Sequence, residues 1–181
     1  MIETTNTCLV VIDLQEKLVP ALDGKTYLLN RSEAFIKGMK LLEVPILITQ
    51  QYTKGLGATF PQIAEVLKGF EPIEKTAFSC MAEPAFCARL NELRIRNIVV
   101  IGAEAHICVQ QTVLEMLLAS YSVYVAADCI ASRKLIDLQH AMERMRASGA
   151  TVTTLESILF ELLRTAEHPC RKQIQALIMN L

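Results

Sequence analysis

The chain has 181 residues, 52% hydrophobic and only 6% aromatic with no Trp, and a formal net charge of −1. That length supports one domain with a sizeable aliphatic core, and a mean hydropathy of +0.33 fits a buried sheet or an apolar subunit contact. The 18 basic and 19 acidic residues are scattered, which argues against a nucleic-acid track or a polybasic membrane patch.

No apolar run approaches the roughly 18 residues of a membrane span. The opening MIETTNTCLVVIDLQ lacks a basic stretch followed by a long apolar one. A cytoplasmic protein without a secretory signal is therefore expected. The six cysteines (8, 80, 87, 108, 129 and 170) show no CxxC and no paired Cys/His spacing. Free thiols are expected, with neither disulfides nor structural zinc.

Cys8 to Leu14 (CLVVIDL) is a short β-branched apolar run ending on a carboxylate, the pattern of a parallel strand buried on both faces. Asp13, at its carboxyl end, is either a cap or a functional acid. Leu28 to Glu43 reads as a helix with Phe35, Ile36, Met39 and Leu42 on one face. Val44-Pro45 ends it, and Pro45 to Gln51 (PILITQQ) reads as the second buried strand. The loop from Tyr52 to Gly57 contains glycine but lacks phosphate-loop spacing, so it is a pocket wall or a plain turn. Ile63 to Leu67 is expected to form a short helix.

Phe70 to Lys75 reads as a strand ending on a lysine, and Thr76 to Ser79 follow it. Pro84 opens a helix to Leu93 with Phe86, Leu90 and Leu93 in line. Asn97 to Ile101 (NIVVI) is a strand that stops at Gly102, and a helix from about Ile107 to Ser120 comes next. Its apolar residues run nearly all round, which predicts cover on more than one side and makes it a candidate subunit interface. Ser122 to Ala127 is the next strand, with Asp128 as its polar end. Ser132 is expected to cap a helix that ends at Gly149. Thr151 to Thr153 is a last short strand, and Thr153 with Glu156 predicts a capping box for SILFELL. Pro169 starts the final helix.

Six alternations of strand and helix, without an internal repeat, predict an α/β fold: a three-layer α/β/α arrangement around a six-stranded parallel sheet. Sites in such sheets lie at the strands' carboxyl ends, near the point where strand order reverses. Asp13, Lys75 and Cys108 all occupy or follow such ends. Cys108, in the first turn of its helix, faces unpaired N–H groups that favour a thiolate. Lowering its pKa from about 8.5 to about 6 needs roughly 3.4 kcal/mol. The helix terminus supplies about 0.3–2 kcal/mol, and an ammonium such as Lys75 is the candidate for the rest. Nucleophile, acid/base and cation together suffice for acyl transfer. No histidine holds a comparable position; His106 is a local contact, while His140 and His168 read as structural or solvated.

Four stretches, LVVIDLQEKL (9–18), ITQQYTKGLGAT (48–59), EKTAFSC (74–80) and IGAEAHICVQQT (101–112), resemble in this order the isochorismatase-like cysteine hydrolase superfamily. VAADCIASR (125–133) and ERMRASGA (143–150) bring the resemblance nearest to the isochorismatase domain-containing proteins. It runs from about Cys8 to the C-terminal helices, as one isochorismatase-like hydrolase domain over residues 1–181 with a Rossmann-like fold.

The resemblance implies a triad of Asp13, Lys75 and Cys108, in which the thiol attacks an amide-like carbonyl. It further implies a cis peptide between Ala103 and Glu104 and an oxyanion hole from the backbone N–H groups of Glu104 and Cys108. Tyr52, Phe78 and His106 are the candidate substrate contacts. Metal-dependent nicotinamidases carry an Asp and two His where this chain reads QQYTKGLGAT, so neither a catalytic metal nor a cofactor is expected. Isochorismatase itself lacks the cysteine, which disfavours vinyl-ether hydrolysis here. The Thr often found three residues before the cysteine is Ala105. The expected activity is hydrolysis of a small amide or related acyl compound through a thioester, in a homodimer or homotetramer. The alternatives are a catalytically idle oligomeric interaction protein of the same fold and a redox-sensing thiol.

Overall fold

A computed structural model describes residues 1–181. Its strands are β1 (Thr7–Ile12), β2 (Ile46–Gln51), β3 (Ile73–Lys75), β4 (Asn97–Ala103), β5 (Ser122–Ala131) and β6 (Thr151–Thr153). Its helices are α1 (Lys25–Leu41), α2 (Thr53–Leu56), α3 (Pro61–Val66), α4 (Pro84–Glu92), α5 (Gln110–Leu118), α6 (Leu135–Ala147), α7 (Leu155–Leu163) and α8 (Arg171–Met179). All strands pair in parallel in the order β3-β2-β1-β4-β5-β6.

Period-two side-chain alternation divides each central strand between two cores. Leu9 and Val11 of β1, Ile46 and Ile48 of β2, and Val99 and Ile101 of β4 join one core with α1, α7 and Ile174 of α8. Cys8, Val10 and Ile12, Leu47, and Ile98 and Val100 join the other with α4, α5 and α6. Each fully buried Leu, Ile or Val contributes about 1.5–3 kcal/mol, so Leu9→Ala is expected to cost about 2–5 kcal/mol. The unbroken apolar runs in the sequence follow from this two-sided burial.

The chain leaves β1 toward β2 and β3, then returns past β1 to build β4, β5 and β6 on its other side. The strand order therefore reverses between β1 and β4. There the two strands approach so closely that a Cβ on Gly102 would overlap the carbonyl oxygen of Ile12. Gly102 also holds φ +128, a region that favours glycine.

Several local expectations change in three dimensions. β5 runs on to Ala131, so Asp128 lies within the strand, where it meets Arg31 at 3.1 Å and accepts a hydrogen bond from the Leu155 amide at 2.9 Å. Thr154, one residue later than expected, caps α7 by accepting from the Ser157 amide. Ser132 does not cap α6; its hydroxyl pairs with His106 Nδ1 at 2.9 Å. In α5, Val113 and Met116 are buried in the second core, while Leu118 at the helix end is 85% exposed. No helix is long and apolar enough to cross a membrane.

Candidate active site

Asp13 follows β1 in a left-handed backbone conformation (φ +49), Lys75 ends β3, and Cys108 lies in a single π-type turn, Ala105–Val109, between β4 and α5. All three sit at the carboxyl edge of the sheet, and Asp13 and Cys108 flank the point of strand reversal. Lys75 starts two strands from β1 and reaches across β2, bringing Nζ to 2.7 Å from Asp13 Oδ2. Burial is deep: Asp13 is 0%, Lys75 1% and Cys108 6% exposed. Such charges persist inside a protein only when paired and hydrogen-bonded.

Their partners are specific. Thr49 Oγ1 donates to Asp13 Oδ1 at 2.8 Å. Lys75 Nζ donates to Gln51 Oε1 at 2.6 Å and to the carbonyls of Phe78 and Ala77 at 3.0 and 3.2 Å. The 2.7 Å approach of Nζ to Asp13 Oδ2 is a charge contact outside hydrogen-bonding geometry, and Oδ2 receives no aligned donor. Burial works against the charge on Lys75, but the Asp13 carboxylate beside it prevails and holds its pKa above the ordinary lysine value.

The expected low thiol pKa is corrected. Burial first, and then the negative charge of Asp13, push the Cys108 thiol up to about 12, against the opposing pull of Lys75. A partial charge at a helix terminus is too weak to outweigh desolvation and an adjacent carboxylate. Cys108 at rest is therefore a neutral thiol against the Asp13 carboxylate, with only about one molecule in 10⁵ ionised at neutral pH.

The Ala103–Glu104 peptide is cis. The Glu104 amide has no backbone or side-chain acceptor within the chain, while its carbonyl accepts from Ile107 and Val109 and so anchors the turn that carries Cys108. Its carboxylate receives Arg133 Nε at 2.9 Å and lies 3.8 Å from His106 Nδ1. Tyr52 and Phe78 are exposed on the segments after β2 and around Lys75. His106 is held by Ser132 rather than by any member of the buried trio. His140 is exposed beside Glu143, and His168 accepts from the Cys170 amide. Two cavities, of about 400 Å³ beside Arg89 and Glu71 and of about 490 Å³ beside Lys37 and Leu177, lie elsewhere and contain none of the trio.

Four further polar side chains support the site: Thr49, Gln51, Gln15 and Cys80. Gln15 accepts from the Gln51 amide at 2.7 Å and donates to the carbonyls of Gln51 (3.0 Å) and Gly57 (2.7 Å). Cys80 Sγ donates to Thr49 Oγ1 at 3.8 Å, and burial followed by Asp13 raises its pKa to about 11. The available signal was the polar ending of β2, ITQQ, in a strand buried throughout. Polar residues there need specific partners.

The model of the family described as "Isochorismatase domain" matches residues 7–157. Isochorismatase domain-containing protein 2A of Mus musculus is 36% identical over 174 residues, which are 96% of this chain and 82% of that protein. Isochorismatase domain-containing protein 1 of Salmo salar is 35% identical over 92% of this chain, which spans only 58% of that relative's length. Among solved structures, the MAR1 ribonuclease of Caenorhabditis elegans superposes with a TM-score of 0.93 at 35% identity, covering 98% of this chain and 92% of that one. The YcaC gene product of Escherichia coli, described as an octameric hydrolase of unknown specificity, shares the fold: TM-score 0.89, 16% identity, 99% and 95% coverage.

Proposed function

Because the chain belongs to the isochorismatase family, a family of hydrolases, we propose that it hydrolyses a small amide or related acyl compound through Cys108, Asp13 and Lys75. The observation that carries this reading is the neutral Cys108 thiol beside a buried carboxylate oxygen without a hydrogen donor. As Sγ attacks the carbonyl carbon, the thiol proton passes to Asp13. The C=O π pair moves onto oxygen, where the free Glu104 amide and the Cys108 amide stabilise it. Collapse expels the amine, which takes the proton back from Asp13, and leaves a thioester on Cys108. Asp13 then deprotonates water for the second half-reaction and returns the proton to sulfur. Lys75 keeps Asp13 ionised at rest by its adjacent charge. In this reading residues 1–181 act as one domain, and Tyr52, Phe78 and His106 line the approach for the substrate.

Scattered charge and the absence of a membrane-length helix support a cytoplasmic, homo-oligomeric enzyme acting on small molecules. The exposed Leu118 at the end of an apolar helix supports the subunit contact, in a dimer or tetramer.

The test is mass spectrometry of the intact protein after mixing with a panel of small p-nitrophenyl esters and p-nitroanilides, followed by turnover assays. An acyl adduct on Cys108, absent in Cys108→Ala and slowed in Asp13→Asn, is expected. No adduct and no turnover across the panel would overturn the proposal in favour of a catalytically idle interaction protein. Cleavage of RNA abolished by Cys108→Ala, without acyl transfer, would favour the activity for which the Caenorhabditis elegans relative is named.

A further inference from the structure

We propose that Gln51, clamped by Gln15, is a positioning residue that holds the Lys75 hydrogens off Asp13 and so leaves Asp13 Oδ2 open to the thiol proton. This rests on the cysteine-hydrolase reading above and assigns the residue that makes its base available.

An ammonium has three hydrogens, and four acceptors surround this one. Gln51 Oε1 at 2.6 Å and the carbonyls of Phe78 and Ala77 at 3.0 and 3.2 Å take aligned bonds. Asp13 Oδ2, at 2.7 Å, does not. A carboxylate is the stronger acceptor of the four, so this distribution needs a cause. The three neutral acceptors are held in place, and the tightest is Gln51. Its amide has one workable orientation, because Nε2 donates to the Thr76 carbonyl at 2.7 Å while Oε1 faces Lys75. A flipped amide would put N–H groups against the ammonium and oxygen against oxygen. The backbone beneath it is fixed by Gln15, which pairs with both its amide and its carbonyl and ties them to Gly57. Gln15 is itself fully buried.

The consequence is a division of labour. Lys75 acts on Asp13 through charge, which keeps the carboxylate ionised. It does not occupy the lone pair that must receive a proton. Without Gln51 the ammonium turns a hydrogen onto Oδ2, and the base is blocked while the ion pair persists.

The experiment measures the rate of iodoacetamide alkylation at Cys108 against pH, read by peptide mass spectrometry to separate it from the other five thiols. It compares wild type with Asp13→Asn, Gln51→Met and Gln51→Glu. Asp13→Asn is expected to slow Cys108 strongly. Gln51→Met is expected to slow it about tenfold, the factor of one pKa unit, and to move the acid limb of the profile to lower pH. Gln51→Glu guards against simple loss of fold. Protonated, the introduced carboxyl accepts from Lys75 and donates to the Thr76 carbonyl as the amide does; ionised, it competes for the ammonium. Its rate should therefore match wild type at the acid end and fall behind as pH rises.

If Asp13→Asn slows Cys108 but both Gln51 variants keep wild-type rates and profiles, the positioning role is overturned and the hydrolase reading stands. A constant deficit in Gln51→Glu at every pH also overturns it, because a merely structural role gives that. A Cys108 rate indifferent to Asp13→Asn overturns both.

Discussion

Gly102 lies against Ile12 so closely that the position has no room for a methyl group: a Cβ there would sit 2.7 Å from the Ile12 nitrogen and closer still to its carbonyl oxygen. The contact joins β4 to β1 one residue before Asp13 and two before the cis peptide at Glu104. The spacing between the acid and the turn that carries the thiol is thus set by two backbones in direct contact.

Gly102→Ala is accordingly expected to destabilise the fold by about 3 kcal/mol or more, from a strained φ and an overlap with backbone that cannot rotate away. Urea denaturation of wild type and variant measures it. A loss under about 1 kcal/mol would mean that the strands can separate at little cost.

The Lys75–Asp13 pair predicts a non-additive double-mutant cycle. Lys75→Met leaves a buried carboxylate without its cation and is expected to cost about 3–5 kcal/mol. Adding Asp13→Asn to that background removes the orphaned charge, so the double variant should be more stable than Lys75→Met alone. Equal stability of the two would show that water reaches Asp13 once the lysine is gone.

Three buried thiols make stability fall in alkali. Burial, listed first among the causes for each, raises Cys8 and Cys108 to about 12 and Cys80 to about 11. Unfolded thiols ionise near the model value of 9.0. The unfolded state therefore sheds protons first as pH rises. The contribution is intact below about pH 9 and is lost toward pH 11–12, at about 1.4 kcal/mol per thiol per pH unit. Denaturation under reducing conditions at pH 8 and pH 10 should show the drop. Cys8→Ala, far from the acid and lysine in role, should reduce the slope by about 1.4 kcal/mol per unit.

Much of the architecture was legible because doubly buried strands leave unbroken apolar runs, such as CLVVI and NIVVI, that no surface strand carries. Asp13, Lys75 and Cys108 could be singled out for the same reason: each interrupts or follows such a run at its carboxyl end. What escaped was decided by partners distant in the chain. Gln51 meets Gln15 across 36 positions and Lys75 across 24. Asp128 is kept inside β5 by Arg31, 97 residues away. Ser132 gives up the capping role its type suggests because His106 lies beside it. The thiol's protonation was misjudged on the same account, since the helix terminus is written locally whereas burial and the facing carboxylate arise only on folding.

The near-complete cover over Cys108, with 6% of its surface reachable, makes the protein a size filter. A slim planar reagent can slip in edgewise to sulfur, whereas a bulky aromatic disulfide must wait for the segments bearing Tyr52 and Phe78 to part. The ratio of the two reaction rates is then a clock for that opening, and no turnover can run faster than the opening it reports.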